Sequence, residues 1–310
     1  MNKPYLSIVS PVYGAEKIVD ELVKRIVEES AKVTDNFEVI LVEDGSPDNC
    51  WEKIQQNCAA DKRVKGIKLS RNFGQHNAIS AGLETSKGQF IIIMDCDLQD
   101  NPKDFKLLLD KANEGFDTVF TRRIDRKHSF IKKHLSRYYN KLFKLISKKE
   151  FSLDNGSLYL INRKVVDIII NLKEKPILMG QVIRWVGFEI GFIEVKHNVR
   201  LEGNSSYSLS KLLSMVWDGW ISNSDRLLRI VIYIGIVISF FSFLFGLSII
   251  FLKFYRGFAV GWSSIIVTIL FSTGLILISL GILGLYVGKI FEQTKDRPLF
   301  IIDKKLNCND

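Results

Sequence analysis

Short apolar runs alternate with stretches of helical spacing along the first part of the chain. The runs at 5–12 (YLSIVSPV), 37–42, 64–69, 90–94 and 118–120 read as buried strands. Between them, 16–29 carries Ile18, Leu22, Ile26 and Val27 on one helical stripe. Ser46 with Pro47 forms an N-cap and first-turn proline for a second helix. A third helix is predicted over 75–85, and a fourth opens near Pro102. Strands alternating with helices predict an α/β fold with a mostly parallel sheet.

The pattern then changes. Over 128–150, Phe130, Ile131, Leu135, Tyr138, Leu142 and Ile146 recur at helical spacing, with lysines and arginines filling much of the rest. This predicts a basic amphipathic helix lying on an anionic membrane surface. Short strands follow at 156–161 and 192–195, with a helix around 165–171 and the segment 176–186 between them. An amphipathic juxtamembrane helix over 209–226, rich in Leu and Trp at its start, leads into two uncharged stretches. Spans are predicted at about 230–252 and 265–287, each long enough to cross a hydrocarbon core of about 20 residues. The expected organisation is a catalytic domain at 1–227, a transmembrane hairpin at 228–288 and a tail at 289–310. Arg226 and Arg229 before the hairpin, and Lys289, Lys295, Arg297, Lys304 and Lys305 after it, outweigh Lys253 and Arg256 in its turn. This bias places the catalytic domain and both termini in the cytoplasm, with the hairpin in the membrane.

Composition sharpens this picture at two points. The mean hydropathy of +0.10 is high for a soluble protein, and the excess lies near the C-terminal end. The net charge of +9 is uneven: residues 122–150 hold eleven Lys/Arg against two Asp/Glu, so the remainder sums to zero. With two apolar spans downstream, the basic segment argues for lipid and against nucleic acid; about 1 kcal/mol accrues per basic residue near an anionic leaflet. The four cysteines show neither a CxxC pair nor zinc spacing, which fits a reducing compartment. No cleavable apolar leader opens the chain.

Candidate chemistry centres on FIIIMDCDLQD. A buried strand ends there at Asp95, and Asp97 follows, in the position where open α/β sheets bind ligands. Two hard carboxylates with one residue between them suit Mg²⁺ or Mn²⁺, which take further ligands from water and phosphate. Asp44 ends the second strand similarly, and no GxGxxG follows the first. The pattern favours a nucleotide whose diphosphate is held by a cation.

The segments SIVSPVY, VEDGSPDN, LSRNFGQHNAISAGL, MDCDLQD, TRR and VRLEGNSSYSLSKLL, in this order and before a membrane hairpin, resemble the family-2 glycosyltransferases with a GT-A domain. More narrowly they resemble the polyisoprenyl-phosphate glycosyltransferases, which include dolichol-phosphate mannose synthase and bacterial undecaprenyl-phosphate enzymes. The resemblance covers about 6–297 and implies a UDP-, GDP- or dTDP-sugar donor, a polyisoprenyl phosphate acceptor and inversion at the anomeric carbon. It implies that Pro11, Tyr13 and Asp44 contact the base and ribose. Asp95, the backbone of Cys96, and Asp97 would hold the metal and donor diphosphate, with Arg122 and Arg200 near the diphosphate or acceptor phosphate. Self-association into a homo-oligomer is left open.

The chain departs from the family pattern in several places. Gly14-Ala15 replaces Asn-Glu, and Glu43 replaces the first acid of Asp-Asp-Gly-Ser. In the pattern Asp-x-Gly-Asp-Phe-Arg, Asp154 is kept, while Ser157 replaces the second acid and Tyr159 the arginine. Ser206 stands in place of the lysine in Ser-Lys-Tyr. Two rival readings remain at this stage: a polysaccharide-extending transferase, suggested by Gln181-Val182-Ile183-Arg184-Trp185, and a non-catalytic membrane scaffold of the same fold.

Overall fold

The computed structural model describes residues 3–123, 155–172, 179–195 and 261–308, with scattered positions between 233 and 255. Two units emerge. The first comprises Met1–Lys133, Ser152–Ser206 and Arg297–Asp310; the second comprises His134–Phe151 and Tyr207–Asp296.

The first unit is built on an eight-stranded sheet. Its strands are β1 (Leu6–Val12), β2 (Phe37–Glu43), β3 (Val64–Leu69), β4 (Phe90–Ile93), β5 (Thr118–Arg123), β6 (Asn155–Asn162), β7 (Ile190–Val195) and β8 (Ile302–Leu306). The spatial order is β7-β5-β6-β4-β1-β2-β3-β8. β1 pairs in parallel with both β2 and β4, and β2 with β3. β6 runs antiparallel to β4 and β5, and β8 antiparallel to β3. Every residue of β1, β2 and β4 is buried, as expected of parallel strands covered on both faces.

Helices α1 (Val19–Ala31), α2 (Cys50–Ala60) and α4 (Phe105–Asn113) contribute Leu22, Ile26, Trp51, Ile54, Phe105 and Leu108 to the core on one face. On the other face α3 (Gln75–Thr85), α5 (Arg163–Asn171) and α6 (Met179–Val186) contribute Ala78, Leu83, Val165, Val166 and Ile183. The predicted mixed, mostly parallel α/β architecture is therefore present. Chain order moves outward from β1 through β2 to β3, then returns to the other side of β1 at β4. This reversal opens a crevice at the carboxyl ends of β1 and β4, the place where such sheets bind ligands.

Three boundaries differ from the sequence reading. β5 continues past Phe120 to Arg123 because β7 pairs with it along that whole length. The expected tail at 289–310 instead contains the end of a helix and then β8, and Arg297–Asp310 groups with the sheet. The side-chain amide of Asn307 donates to the carbonyls of Cys58 and Val64 at 2.6 and 2.8 Å, fixing this strand to its neighbours. The third difference is α7 (Trp262–Thr294), which extends beyond the expected span 265–287.

α7 belongs to the second unit. Its 33 residues correspond to about 50 Å at 1.5 Å per residue. The window Phe271–Gly288 has a mean hydropathy of 1.9 and none of it is buried. Among the described residues this is the one helix long and apolar enough to cross a membrane. Within the other expected span, 230–252, the described positions are helical, with Phe240, Phe241 and Phe245 exposed. The basic helix at 128–150 and the juxtamembrane helix at 209–226 lie outside the described residues.

Candidate active site

The site assembles at the crevice between β1 and β4. β4 stops at Ile93, and Met94 still donates to Val9 O at 3.0 Å before the chain turns into the acid loop 95–100. Buried Leu98 takes a left-handed backbone with φ of 56°, and the Gln99 N–H donates to Asp97 Oδ1 at 3.1 Å. The loop thus turns back on itself and gathers Asp95, Asp97 and Asp100. Asp95 accepts from Gln75 Nε2 at 2.6 Å. Burial, and then the charges of Asp100 and Asp97, push its carboxyl up to about 7. Asp100 is buried and accepts from Ser157 Oγ at 2.6 Å.

Tyr13 lies at the end of β1 with its ring half exposed, while its backbone N–H donates to the Cys96 thiol. Burial raises that thiol to about 11, so Cys96 is a packed, protonated side chain and not a nucleophile. Pro11 is buried in β1 two residues beyond Val9, the last residue paired with β4. Its missing N–H therefore leaves the β1–β4 ladder intact.

Asp44 does more than the sequence suggests. Both its oxygens accept backbone N–H groups, from Phe73 at 2.7 Å and Gly74 at 2.9 Å. It thereby holds the loop that delivers Gln75 to Asp95. Gly45 makes this approach feasible: its φ is +62°, and a Cβ there would meet Asn72 N at 2.3 Å. Burial raises the Asp44 carboxyl above its ordinary range, against the lowering effect of those two amides. Glu43 is also buried and raised by desolvation; one oxygen accepts from Ser46 N–H, and the other has no hydrogen-bond partner among the described residues.

A second polar web closes the near wall. Gly14 N–H donates to Ser46 Oγ at 2.8 Å, Glu16 N–H to Asp48 Oδ2 at 3.0 Å, and Asn49 Nδ2 to Glu16 Oε1 at 3.0 Å. Glu16, the acid left after the family's Asn-Glu is lost, ties the first-strand loop to the second.

Arg122 lies on β5, two strands away from β4 in the sheet order. Its guanidinium sits 3.7 Å above the centre of the Phe192 ring. Tyr159 is buried against Phe120, with ring centres 5.3 Å apart, and Phe120 stacks on Phe192 at 6.3 Å. Arg200, Asp154 and Ser206 lie outside the described residues. The structure thus brings together Tyr13, Asp95, Cys96 and Asp97, links Asp44 to them through the 73–75 loop, and places Arg122 two strands away on β5. The sequence reading assigned no role to Gln75, Asp100 or Ser157. Gln75 and Asp100 stood inside quoted motifs, and Ser157 was visible only as a departure.

The donor set can be tested for a cation. No cluster of three or more His, Cys, Asp or Glu arranged to hold a metal occurs among the described residues. Asp95 and Asp97 supply two carboxylates in a crowded acid loop. That suits Mg²⁺ or Mn²⁺, which keep several waters and complete their shell with phosphate oxygens. It does not suit a closed all-protein cage.

Residues 7–169 match glycosyl transferase family 2. The chain belongs to this family. The matched segment runs from β1 to α5 and contains the acid loop, Asp44, Arg122 and Ser157. Across its length the chain is similar to the uncharacterized glycosyltransferase YkcC of Bacillus subtilis, with 36% identity over 96% of this chain and 93% of that one. It is also similar to an undecaprenyl-phosphate 4-deoxy-4-formamido-L-arabinose transferase of Shewanella sediminis, at 33% identity, 97% of this chain and 92% of that one. Among solved structures, glucosyl-3-phosphoglycerate synthase from Mycobacterium tuberculosis aligns at a TM-score of 0.50 and 16% identity, covering 70% of this chain and 77% of that chain. This last likeness establishes the shared GT-A-like fold alone.

Proposed function

We propose that this glycosyltransferase moves a sugar from a nucleotide-diphospho-sugar to a polyisoprenyl phosphate at the cytoplasmic face of the inner membrane. The observation that carries the reading is the acid loop at the β1/β4 crevice. There Asp95 and Asp97 stand one residue apart at the end of a buried strand, and burial with two neighbouring carboxylates raises Asp95 to about 7, an arrangement that a cation-bound diphosphate would relieve. The full-length likeness to a transferase named for undecaprenyl phosphate supports the acceptor class.

In this reading Asp95 and Asp97 hold Mg²⁺ or Mn²⁺, which when bound neutralises charge on the leaving diphosphate. Exposed Tyr13 offers a ring to the base, and Pro11 shapes the strand end beneath it. Asp44 orders the 73–75 loop and retains lone pairs for a ribose hydroxyl. Arg122, and Arg200 from beyond the described residues, pair with phosphate oxygens in a bidentate fork. The acceptor phosphate has a second pKa of about 6, so it is anionic at neutral pH and needs no dedicated base. The protein then contributes positioning and charge compensation.

The membrane anchor follows from connectivity. The chain leaves the sheet unit after Ser206 and re-enters it at Arg297. If α7 crosses a bilayer and β8 returns to β3, the number of crossings must be even. This supports a second span at 230–252, with both ends of the hairpin on the catalytic side.

The test is to incubate membranes containing the protein with radiolabelled nucleotide-sugars and extract with organic solvent. A labelled, mild-acid-labile lipid is the expected product. Label in an insoluble polymer would instead identify a polysaccharide-extending enzyme, and no labelled product with any donor would identify a scaffold.

A further inference from the structure

The acid loop is gripped at both ends by side chains from other elements. At its start, Gln75 Nε2 reaches from the first turn of α3 to Asp95 Oδ1 at 2.6 Å. At its end, Ser157 Oγ reaches from β6 to Asp100 Oδ2 at 2.6 Å. The β4–β6 register explains why Ser157 arrives there. Ile93 pairs with Tyr159 in an antiparallel ladder, so two further residues along each strand bring Ser157 across from Asp95. Ser157 also lies close enough to Asp95 to favour its ionised form. The β6 backbone is itself held close to β5, since a Cβ on Gly156 would fall 2.1 Å from Thr121 Oγ1. Thr121 in turn donates to Leu158 O at 2.8 Å. Ser157 is therefore presented from a rigid strand, and Gln75 from a loop fixed by Asp44.

The geometry points to Gln75 and Ser157 as positioning residues for the cation site: they pin Asp95 and Asp100, the two ends of the acid loop, so that Asp95 and Asp97 are offered together. This inference rests on the proposed cation–diphosphate role of the loop. It also gives a reason for a neutral hydroxyl where the family pattern carries an acid. A carboxylate at 157 would add a further negative charge beside Asp95 and Asp100, whereas serine donates a hydrogen bond to Asp100. Hydrogen-bond partners standing behind metal ligands are worth about 10–100-fold in metal affinity.

The experiment measures Mn²⁺ binding directly, by the loss of free-Mn²⁺ electron paramagnetic resonance signal on titrating the purified full-length chain. Ser157→Ala and Gln75→Met are each expected to raise the Mn²⁺ dissociation constant by about tenfold, with the melting temperature held, while Ser157→Thr stays within about twofold of wild type. Gln75 is exposed on the first turn of α3, so its variant carries the test even if Ser157→Ala is poorly folded. Unchanged Mn²⁺ affinity in a folded Gln75→Met or Ser157→Ala chain overturns the inference and leaves the function standing, provided Asp97→Asn abolishes binding. Wild-type protein that takes up no Mn²⁺ overturns both.

Discussion

At the amino end of the sheet, Glu38 is 2% exposed, yet each of its oxygens is occupied. Ser7 Oγ and Lys87 N–H donate to one at 2.6 and 2.7 Å, Lys65 Nζ to the other at 2.5 Å, and Gly88 N–H supports Ser7 at 2.8 Å. At the carboxyl end, Asp95 meets an amide, a hydroxyl and two further carboxylates, and its carboxyl rises to about 7. Glu43 keeps an oxygen without a hydrogen bond among the described residues. Both ends bury carboxylates in the same sheet. At one end the protein supplies the lysine and the donors, and the group serves folding. At the other, Asp95 lies beside two further carboxylates and Glu43 keeps that open oxygen, which costs stability and, on the proposed function, suits a charge that arrives with the substrate.

Substitutions at the two ends should therefore act on different quantities. The largest expected effect is on activity: Asp97→Asn should lower sugar transfer at least about a hundredfold while the protein stays folded and membrane-inserted. Measured transfer near wild type in purified protein would remove the metal assignment. Next is Glu38→Ala, which should cost about 3–5 kcal/mol in chemical denaturation, because it strands Lys65 and its associated donors. Asp95→Asn should instead leave the cation-free protein as stable or more so. Similar losses for both would collapse the contrast between the ends.

Asn307→Ala should cost about 1–3 kcal/mol, since two carbonyls lose their donor. This bears on how the membrane anchor is removed. Deleting everything after 227 also deletes β8, so equal loss of donor and lipid activity in that truncation would report sheet damage. Replacing 207–296 with a flexible linker, keeping Arg297–Asp310, should spare donor binding and abolish lipid glycosylation.

A separate effect is expected on pH dependence. Asp95 has its folded-state pKa raised from 3.8 to about 7, so the folded state binds this proton more tightly than the unfolded state. Its contribution to stability is present below pH 4 and is lost as pH rises towards 7. The cation-free melting temperature should accordingly fall across that window relative to Asp95→Asn, and Mn²⁺ affinity should rise across it.

The parallel core was legible because strands buried on both faces are continuous apolar runs, as in FIII of β4. β8 was not: IDKKL sets three consecutive charged residues between two apolar ones on an edge strand, and nothing local indicates that it pairs with β3 far upstream. Likewise Arg122 and Arg123 hid the end of β5, which exists because β7 lies beside it. Asp95 and Asp97 stood out as candidates because strand ends are where α/β sheets place chemistry. Asp44 could be read as a site residue, but its hold on the 73–74 amides depends on contact about thirty residues away in sequence. Ser157 depended on the antiparallel register of β6, which no local pattern encodes.

On the proposed function, Asp95 and Asp97 take up a cation-bound diphosphate at the carboxyl end of the sheet. The most direct measurement is the thermal shift of the full-length protein with Mn²⁺, alone and with UDP, GDP or dTDP, in wild type and Asp97→Asn. Mn²⁺ should stabilise the wild type, more so with one of the nucleotides, and the shift should disappear in Asp97→Asn. An equal shift in both proteins would contradict this assignment.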